Sequence, residues 1–230
     1  MQPTLLRRIY WQLLLLVSSS RYEKTRAKYN GISFPKGFDT TESIFIHIPK
    51  TGGISIATAL YGVLIPHYTW QEWRRVNPRK FERYFKFAVV RDPISRFASS
   101  FDFLKAGGIN ATDQEFSRVE LASFNKANDF AKALADSAVA ARVLQACHFT
   151  PQAEFVASRS GRLKVNRLIP FENLSAGFGE VVKLLGEESI QLPHLNKTLE
   201  RKQVHFDQEA RAVLDRVYAM DFKLWREQAS

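Results

Sequence analysis

Residues 43–60 read SIFIHIPKTGGISIATAL, an apolar run that breaks into a Lys-Thr-Gly-Gly turn and continues as a helical pattern. The first turn of a helix presents unpaired backbone N–H groups and the positive end of the helix dipole, so it attracts anions. Gly52 and Gly53 would let a bulky anion approach the backbone closely. Charge and hydroxyl donors would come from Lys50, Thr51 and Ser55. The stretch therefore predicts a phosphate-binding loop between a strand and a helix.

The order of residues in this turn separates two kinds of nucleotide site. The loop that binds nucleoside triphosphates reads G-x-x-x-x-G-K-[ST], with the lysine after the glycines. Here Lys50 precedes Gly52 and Gly53, so that fingerprint is absent. The order resembles instead the 5′-phosphosulfate loop of sulfotransferases that use 3′-phosphoadenosine 5′-phosphosulfate (PAPS). The resemblance assigns donor binding to Lys50, Thr51, Gly52, Gly53, Ile54 and Ser55.

A second motif follows the next apolar run. Residues 85–100 read FKFAVVRDPISRFASS, a β-prone strand that leads into the start of a helix. Asp92 before Pro93 predicts that start, with the carboxylate as N-cap and the proline at the first helical position. Arg91 at the strand end and Ser99 two turns into the helix can then converge on one anion.

In sulfotransferases the matching arginine and serine hold the 3′-phosphate of PAPS, and the resemblance assigns that role to Arg91 and Ser99. The alternative is an arginine paired with a carboxylate and a serine on a solvated helix face, since ion pairs at strand ends are common. The phosphate-binding loop lies upstream at a distance typical of a βαβ unit, which favours the nucleotide site.

Three further segments extend the resemblance towards the C-terminus: HFTPQ at 148–152, IPFENL at 169–174 and LPHLNKT at 192–198. They look like successive landmarks of the carbohydrate sulfotransferases that include the chondroitin and dermatan enzymes (sulfotransferase family 2), and the chain resembles a bacterial member. The glycine-rich 3′-phosphate loop of cytosolic sulfotransferases is missing. The resemblance implies a hydroxyl of a carbohydrate or glycolipid as the acceptor. It places Lys197 near the 3′ side of the nucleotide, and His148 and Gln152 towards the acceptor.

Composition limits the remaining possibilities. The 230 residues, 45% of them hydrophobic, can bury the core of one domain, and no repeat is visible. The formal net charge of +10 favours an anionic partner. The sequence lacks the zinc patterns, aromatic RNA-binding motifs and Lys/Arg tracts that would indicate nucleic acid. Cys147 is the only cysteine, which excludes an intramolecular disulfide, fits a reducing compartment and predicts no metal site. We therefore expect a cytoplasmic location.

The N-terminus admits two interpretations. Residues 1–42 are predicted to form a basic, apolar helix and a linker ahead of a sulfotransferase domain at 43–230. The apolar run at 9–17 follows Arg7 and Arg8, as in a signal peptide. It is shorter than the about 20 residues that span a bilayer, and no clear cleavage site follows. A helix that packs on the domain or lies at the inner membrane face, and a cleaved or anchoring signal, both stay open.

The pattern predicts an α/β fold, a single domain with a central parallel sheet flanked by helices in a P-loop-like sulfotransferase arrangement. Strands are expected at 43–48, 85–90 and 163–169, and helices at 54–61, 71–84, 93–104, 129–145, 174–185 and 207–218. Residues 107–128 are interpreted as an irregular insertion that faces the acceptor. Ligands of such sheets bind at the carboxyl ends of the strands, where both phosphate motifs fall.

Transfer of a sulfuryl group to a hydroxyl requires in-line positioning, charge stabilisation and a base. Lys50 would neutralise the leaving phosphate, and because this donor leaves well unaided, no metal is obligatory. His67 lies between the two phosphate motifs, where members of the group often carry histidine, and a neutral imidazole suits the base. A structural loop histidine is the other interpretation of His67, and His47 is expected in the core. Trp70 could stack on a sugar or pack in the core. Glu172 is interpreted as a helix cap.

Two other function classes stay open. In a magnesium-dependent nucleotide kinase, Asp92 would bind the metal after its apolar strand. A noncatalytic binder of anionic glycans or membrane surfaces would use the basic face and the N-terminal helix, and its binding would weaken with salt.

Overall fold

The computed structural model describes residues 9, 12–13, 15–16, 18–192 and 204–229. Within these residues, three strands form one parallel sheet in the order β1-β2-β3. The strands are β1 at Ser43–Ile46, β2 at Phe85–Val90 and β3 at Arg167–Pro170. Because all three run in the same direction, their carboxyl ends meet at one edge of the sheet. The predicted α/β fold with a central parallel sheet is confirmed.

Helices flank this sheet, and some of them pack on one another around a second hydrophobic cluster. In chain order they are α1 (Ser19–Asn30), α2 (Lys36–Thr40), α3 (Gly53–Tyr61), α4 (Trp70–Val76), α5 (Pro78–Arg83), α6 (Pro93–Lys105), α7 (Ala111–Glu120), α8 (Ala127–Ala133), α9 (Ser137–Val143), α10 (Gln152–Val156), α11 (Leu174–Leu184), α12 (Gln208–Val217) and α13 (Ala219–Ala229). A single 3₁₀ turn at Phe171–Asn173 joins β3 to α11.

The third strand begins later than the predicted 163–169. Leu163 makes only an isolated antiparallel bridge with Ala157. The side-chain oxygen of Asn166 accepts a hydrogen bond from the backbone N–H of Lys86 at 2.8 Å. The backbone N–H of Asn166 donates to the Lys86 carbonyl at 2.7 Å. The regular ladder therefore starts only at Arg167.

The segment 107–128 is not irregular, as the sequence suggested, because α7 occupies its centre. Asn110 caps this helix by accepting the N–H of Asp113 at 2.9 Å. The Asp113 carboxylate in turn accepts the N–H of Ile109 at 3.1 Å. This N-cap pattern outweighs the polarity that suggested a loop.

Two predicted helices are each divided by a capping residue. The helix expected at 71–84 breaks at Asn77, whose backbone is extended before Pro78 and whose side chain accepts the N–H of Lys80 at 3.2 Å. The helix expected at 129–145 breaks before Asp136, which caps α9 by accepting the N–H of Ala138 at 2.7 Å.

The described residues bury two hydrophobic clusters. One surrounds the sheet, where Phe45, Phe87 and Ile169 have no exposed surface. The other lies between α6, α8 and α12 and is rich in aromatic rings, with Phe97 and Phe130 at its centre. α6 contributes Phe97, Phe101 and Leu104 to this second cluster.

The sheet core extends into the predicted N-terminal linker. Phe34 and Phe38 belong to it, so packing begins before Ser43. α1 is attached by an ion pair of 2.7 Å between Glu23 and Lys80. In the part of the chain that the structure describes, no helix has the length and apolar character needed to cross a membrane.

Two glycines in α11 give a matched test of packing against β3. A side chain at Gly177 would lie 2.5 Å from the Ile169 methyl group, whereas one at Gly179 would meet open space. We expect Gly177→Ala to lower the free energy of unfolding by about 1–3 kcal/mol through overpacking. Gly179→Ala should raise it by about 0.4–1 kcal/mol through helix propensity. Urea unfolding of both variants measures this, and equal effects would contradict the packing of α11 on β3.

Candidate active site

The loop between β1 and α3 is held in shape by its own backbone and side chains. Lys50 and Gly52 both adopt left-handed conformations, with φ values of 67° and 77°. For a lysine this costs on the order of 1 kcal/mol. The hydroxyl of Thr51 is buried and donates to the Ile48 carbonyl at 2.8 Å. Thr51 therefore braces the turn, and its hydroxyl proton is not directed towards an anion as the sequence suggested.

The two glycines of the loop are required by packing as well as by any ligand. A side chain at Gly53 would collide with the ring of His47, and one at Gly52 would lie 2.9 Å from the ring of Phe171. Of the remaining predicted loop residues, Ile54 is 61% exposed and Ser55 is half-buried. The nine-residue helix α3 thus begins at the buried Gly53, directly after the loop at the end of β1.

Arg91 links this loop to the end of β2. Its Nη1 donates to the Lys50 carbonyl at 3.1 Å, and its guanidinium lies over the ring of Phe171, 4.6 Å from the centroid. Gln152 holds the Arg91 backbone from the other side. Its amide accepts the Arg91 N–H at 2.9 Å and donates to the Arg91 carbonyl at 2.8 Å. Only 8% of Arg91 is exposed, so its orientation is fixed by these contacts.

Arg91 and Ser99 line the same cavity, of about 480 Å³, together with Ser95, Phe206 and Arg211. The cavity lies along α6, whose first turn is capped by Asp92 accepting the N–H of Ser95 at 2.7 Å. Two arginines and two hydroxyls therefore face one space at the end of the sheet. Asp92 and Asp102 line the same space.

Arg96 is a positioning residue that the sequence analysis missed. It is 2% exposed, and it donates from Nε to the Pro49 carbonyl at 3.1 Å and from Nη2 to the Thr150 carbonyl at 3.0 Å. The loop after β1 and the segment before α10 are thereby fixed to one side chain. The position of Arg96 one turn into α6 was the available signal.

His47 and His67 form a tilted pair next to the loop, with ring centroids 4.2 Å apart. Nδ1 of His47 donates to the Ile65 carbonyl at 2.8 Å, and Nδ1 of His67 donates to the His47 carbonyl at 2.9 Å. In each neutral ring the lone pair is then on Nε2. Burial, aided by the charge of His67, lowers the pKa of His47 to about 4. Burial also lowers the pKa of His67, and the positive charges of Arg96 and Lys50 act in the same direction.

A third imidazole, that of His148, lies beside this pair and is held by Asp113. Nε2 of His148 is 3.3 Å from the Asp113 carboxylate, and the rings of His148 and His67 are 6.2 Å apart. The ring of Phe103 separates His148 from Lys50, whose Nζ lies 4.0 Å above that ring. Nδ1 of His148 is shielded from solvent and accepts no hydrogen bond from the described residues. His67 is therefore better placed than His148 to receive a proton from an acceptor.

The sequence analysis missed Asp113 because residues 107–128 were interpreted as irregular. The spacing of Asn110 and Asp113, three positions apart, was the signal for the N-cap that positions Asp113. Burial lowers the pKa of His148 to about 4, although the Asp113 charge opposes this.

Several residues proposed from the sequence lie elsewhere or serve the fold. Trp70 is not beside Lys50, since its Nε1 donates to the Ala157 carbonyl at 2.9 Å and Lys164 lies over its indole. Gln152 is 1% exposed and its amide is occupied by Arg91, so it cannot face an acceptor. Lys197 lies outside the described residues.

Glu172 does not cap a helix, as the sequence suggested. Its carboxylate accepts the N–H of Asp92 at 3.2 Å and the Nε1–H of Trp225 at 3.1 Å. It therefore connects the loop after β2 to α13. The carboxylate of Glu72, five residues after His67, is occupied in the capping box of α4 with Thr69.

Residues 39–226, most of the chain, match the sequence profile described as the Sulfotransferase family. The chain belongs to the sulfotransferase family. No similar curated protein and no similar solved structure was found. Sulfotransfer is thus the general activity to which the loop, the arginine-lined cavity and the histidines must be related. Within the described residues, no group of three or more His, Cys, Asp or Glu side chains is arranged to hold a metal.

The buried histidines of this sulfotransferase predict acid sensitivity. The folded-state pKa of His47 is about 4 and its unfolded value is about 6.5. Below pH 6.5 the His47 side chain is protonated in the unfolded chain but stays neutral in the folded chain down to about pH 4. The free energy of unfolding therefore falls as the pH is lowered through this range. Between pH 7 and 5 the loss from His47 is about 2 kcal/mol. His47→Asn, which keeps a donor for the Ile65 carbonyl, should lose correspondingly less in urea unfolding at the two pH values. An unchanged pH dependence in the variant would contradict a neutral, buried His47.

Proposed function

We propose that this sulfotransferase moves a sulfuryl group from PAPS to a hydroxyl of a carbohydrate acceptor by direct in-line transfer. The hydrogen bond from Arg91 to the Lys50 carbonyl carries the proposal, because it joins the loop after β1 to the cavity after β2. The two proposed anion sites, the loop after β1 and the cavity after β2, therefore have a fixed separation. A donor with a phosphosulfate at one end and a 3′-phosphate at the other matches such a pair of sites.

The residues of the two places suit that donor. The cavity of about 480 Å³ offers Arg91, Arg211, Ser95 and Ser99 to a phosphate. The loop offers the N-terminus of α3 and the Lys50 ammonium. Sulfotransferases generally use PAPS, which supports this choice of donor. Lys197 is proposed to add a charge on the 3′ side.

When bound, PAPS supplies an activated sulfuryl group on a good leaving group. Lys50 is proposed to stabilise the negative charge that grows on the leaving phosphate. Its ammonium lies 4.0 Å from the centroid of the Phe103 ring, a contact worth about 0.5–2 kcal/mol. The N–H groups of the first turn of α3 would hold the same phosphate in line.

His67 is proposed as the base for the acceptor hydroxyl. Its Nδ1 is fixed on the His47 carbonyl, which directs Nε2 as the accepting nitrogen. His148 and Asp113 form the neighbouring wall, where the Asp113 carboxylate would stabilise a proton arriving on His67. A structural role for His67 is the alternative, and a kinetic test separates the two.

The acceptor and the location are proposals that rest on the resemblance and on charge. A sugar hydroxyl follows from the likeness to carbohydrate sulfotransferases, and the net charge of +10 favours an anionic acceptor. We propose a cytoplasmic enzyme with peripheral contact to the inner membrane face. Ile9, Leu13 and Leu16 support this contact, since they are exposed apolar residues with helical spacing.

The alternative functions have less support. In a magnesium-dependent kinase Asp92 would bind the metal, but its carboxylate caps α6. The membership of the sulfotransferase family also favours sulfotransfer. A noncatalytic glycan binder does not require the hydrogen bond between Arg91 and the Lys50 loop, so that function leaves the bond unexplained.

The donor site can be tested with 3′,5′-adenosine bisphosphate, the desulfonated product. Titration calorimetry should show binding that does not require magnesium, and Arg91→Ala should weaken it by about 10- to 100-fold because a charge-assisted hydrogen bond is lost. The matched control is Arg118→Ala, whose arginine pairs with Glu115 on the surface. A preference for ATP with magnesium, or equal binding by both variants, would contradict the assignment.

The base can be tested by turnover with PAPS and a carbohydrate acceptor. His67→Ala should lose about 10²- to 10⁴-fold in turnover while the bisphosphate still binds, because only proton removal is affected. His205→Ala, at an exposed position, is the matched control. Turnover near the wild-type value in His67→Ala would assign His67 to structure.

A further inference from the structure

A second cavity lies at the opposite end of the sheet from the donor site. We call it the basic cleft; it encloses about 420 Å³, and its lining includes Trp70, Arg74, Lys86, Arg162, Lys164 and Asn166. Lys86 is the second residue of β2, and Arg91 follows the end of that strand. Five residues of strand separate them by on the order of 16 Å. The basic cleft is therefore distinct from the cavity that contains Arg91.

The cations of the basic cleft differ in what they can offer a ligand. Nζ of Lys86 is buried and donates to the carbonyls of Phe81 at 2.8 Å and Tyr84 at 2.7 Å, so this lysine serves the fold. Arg162 is exposed and Lys164 is half-buried. These two side chains come from the turn between α10 and β3, and both face the cavity.

Trp70 supports Lys164 in this cleft. The indole N–H donates to the Ala157 carbonyl at 2.9 Å, which fixes the ring, and Nζ of Lys164 lies 5.1 Å from its centroid. This contact holds the ammonium in one place without neutralising it. The sequence analysis left stacking on a sugar and packing in the core open for Trp70, whereas here it positions a charge.

Glu82 also lines the basic cleft, but its carboxylate does not cancel the positive charge of Arg162 and Lys164. Glu82 pairs with Arg74 at 2.9 Å, and both side chains are more than half exposed, at 66% and 53%. An exposed pair of this kind is worth about 0–1 kcal/mol, so an anionic ligand can compete for Arg74. The cleft thus presents Arg162, Lys164 and Arg74 to an anionic ligand, which can replace Glu82 as the partner of Arg74.

The shape and chemistry of the cleft favour a saccharide over other polyanions. A single-stranded nucleic acid is normally held by aromatic faces on which bases stack, but Lys164 occupies a face of Trp70. A membrane surface is flat and would not enter a concave site. Carboxylate or sulfate groups spaced along a sugar chain can enter it while the chain remains outside.

We propose that the basic cleft binds an acidic saccharide chain, through its carboxylate or sulfate groups, on Arg162 and Lys164. The connection to the active site is short, since Trp70 follows His67 by three residues, on the order of 10 Å of extended chain. If the proposed function holds, the ligand is a remote part of the acceptor or product. The cleft itself does not depend on the donor site.

The test measures binding of a fluorescent dextran sulfate oligosaccharide by anisotropy at two salt concentrations. The double variant Arg162→Ser, Lys164→Gln should bind about fivefold more weakly than wild type, the effect of losing two exposed ion pairs of about 0.5 kcal/mol each, and should depend less on salt. The matched control is Lys183→Gln, Arg216→Ser, which removes the same charge from exposed positions outside the cleft. It should bind within twofold of wild type.

Equal weakening by the two double variants would overturn the proposal, because binding would then follow net charge alone. Wild-type protein that binds vesicles of anionic phospholipid or a single-stranded oligonucleotide, but not dextran sulfate, would also overturn it. Titration with 3′,5′-adenosine bisphosphate separates this result from the proposed function. Dextran sulfate binding that is lost only in the cleft variant, together with no binding of the bisphosphate, would support the cleft and reject the donor site.

Discussion

The buried guanidinium of Arg96 is the contact on which the rest of the site depends. Its hydrogen bonds to the carbonyls of Pro49 and Thr150 fix the loop after β1 to the segment before α10. Five residues earlier, directly after β2, Arg91 donates to the next carbonyl of the loop, that of Lys50. Because two successive carbonyls are held by arginines, the left-handed turn at Lys50 persists without a ligand. The strain of that turn is thus balanced by charge-assisted hydrogen bonds.

A second set of buried contacts carries this order to the C-terminus. Asp221 of α13 is 1% exposed and accepts the N–H groups of Gln152 at 2.7 Å and Ala153 at 2.9 Å. The Gln152 side chain then holds both backbone groups of Arg91. Burial raises the pKa of Asp221, opposed by the charge of Arg96 and by these backbone donors. The last helix therefore positions the arginine that faces the cavity, although it contributes no side chain to that cavity.

Local signals in the sequence were sufficient for the fold and for the residues near the strand ends. The apolar runs, the turn at Lys50 and the cap at Asp92 each depend on a few neighbouring residues, and they predicted β1, β2, α3 and α6. The short strand β3 was less visible because the side chain of Asn166 replaces the first ladder bond. Partners distant in sequence were not predictable, and Gln152 illustrates this. It resembled an acceptor residue, but its partner lies 61 positions away on the backbone of Arg91.

The electrostatics around the histidines bear on the proposed base. Burial lowers the pKa of both His47 and His67, aided at His47 by the charge of His67 and at His67 by the charges of Arg96 and Lys50. A neutral imidazole has the lone pair that proton removal needs, but its low pKa makes it a weak acceptor. His67 gains proton affinity when a bound anion balances Lys50 and Arg96, since the charges that disfavour the imidazolium are then offset. Asp113, held next to His148, acts in the same direction from the other side. With His67 as the proposed base, its proton affinity would therefore rise when the donor's phosphate balances Lys50 and Arg96.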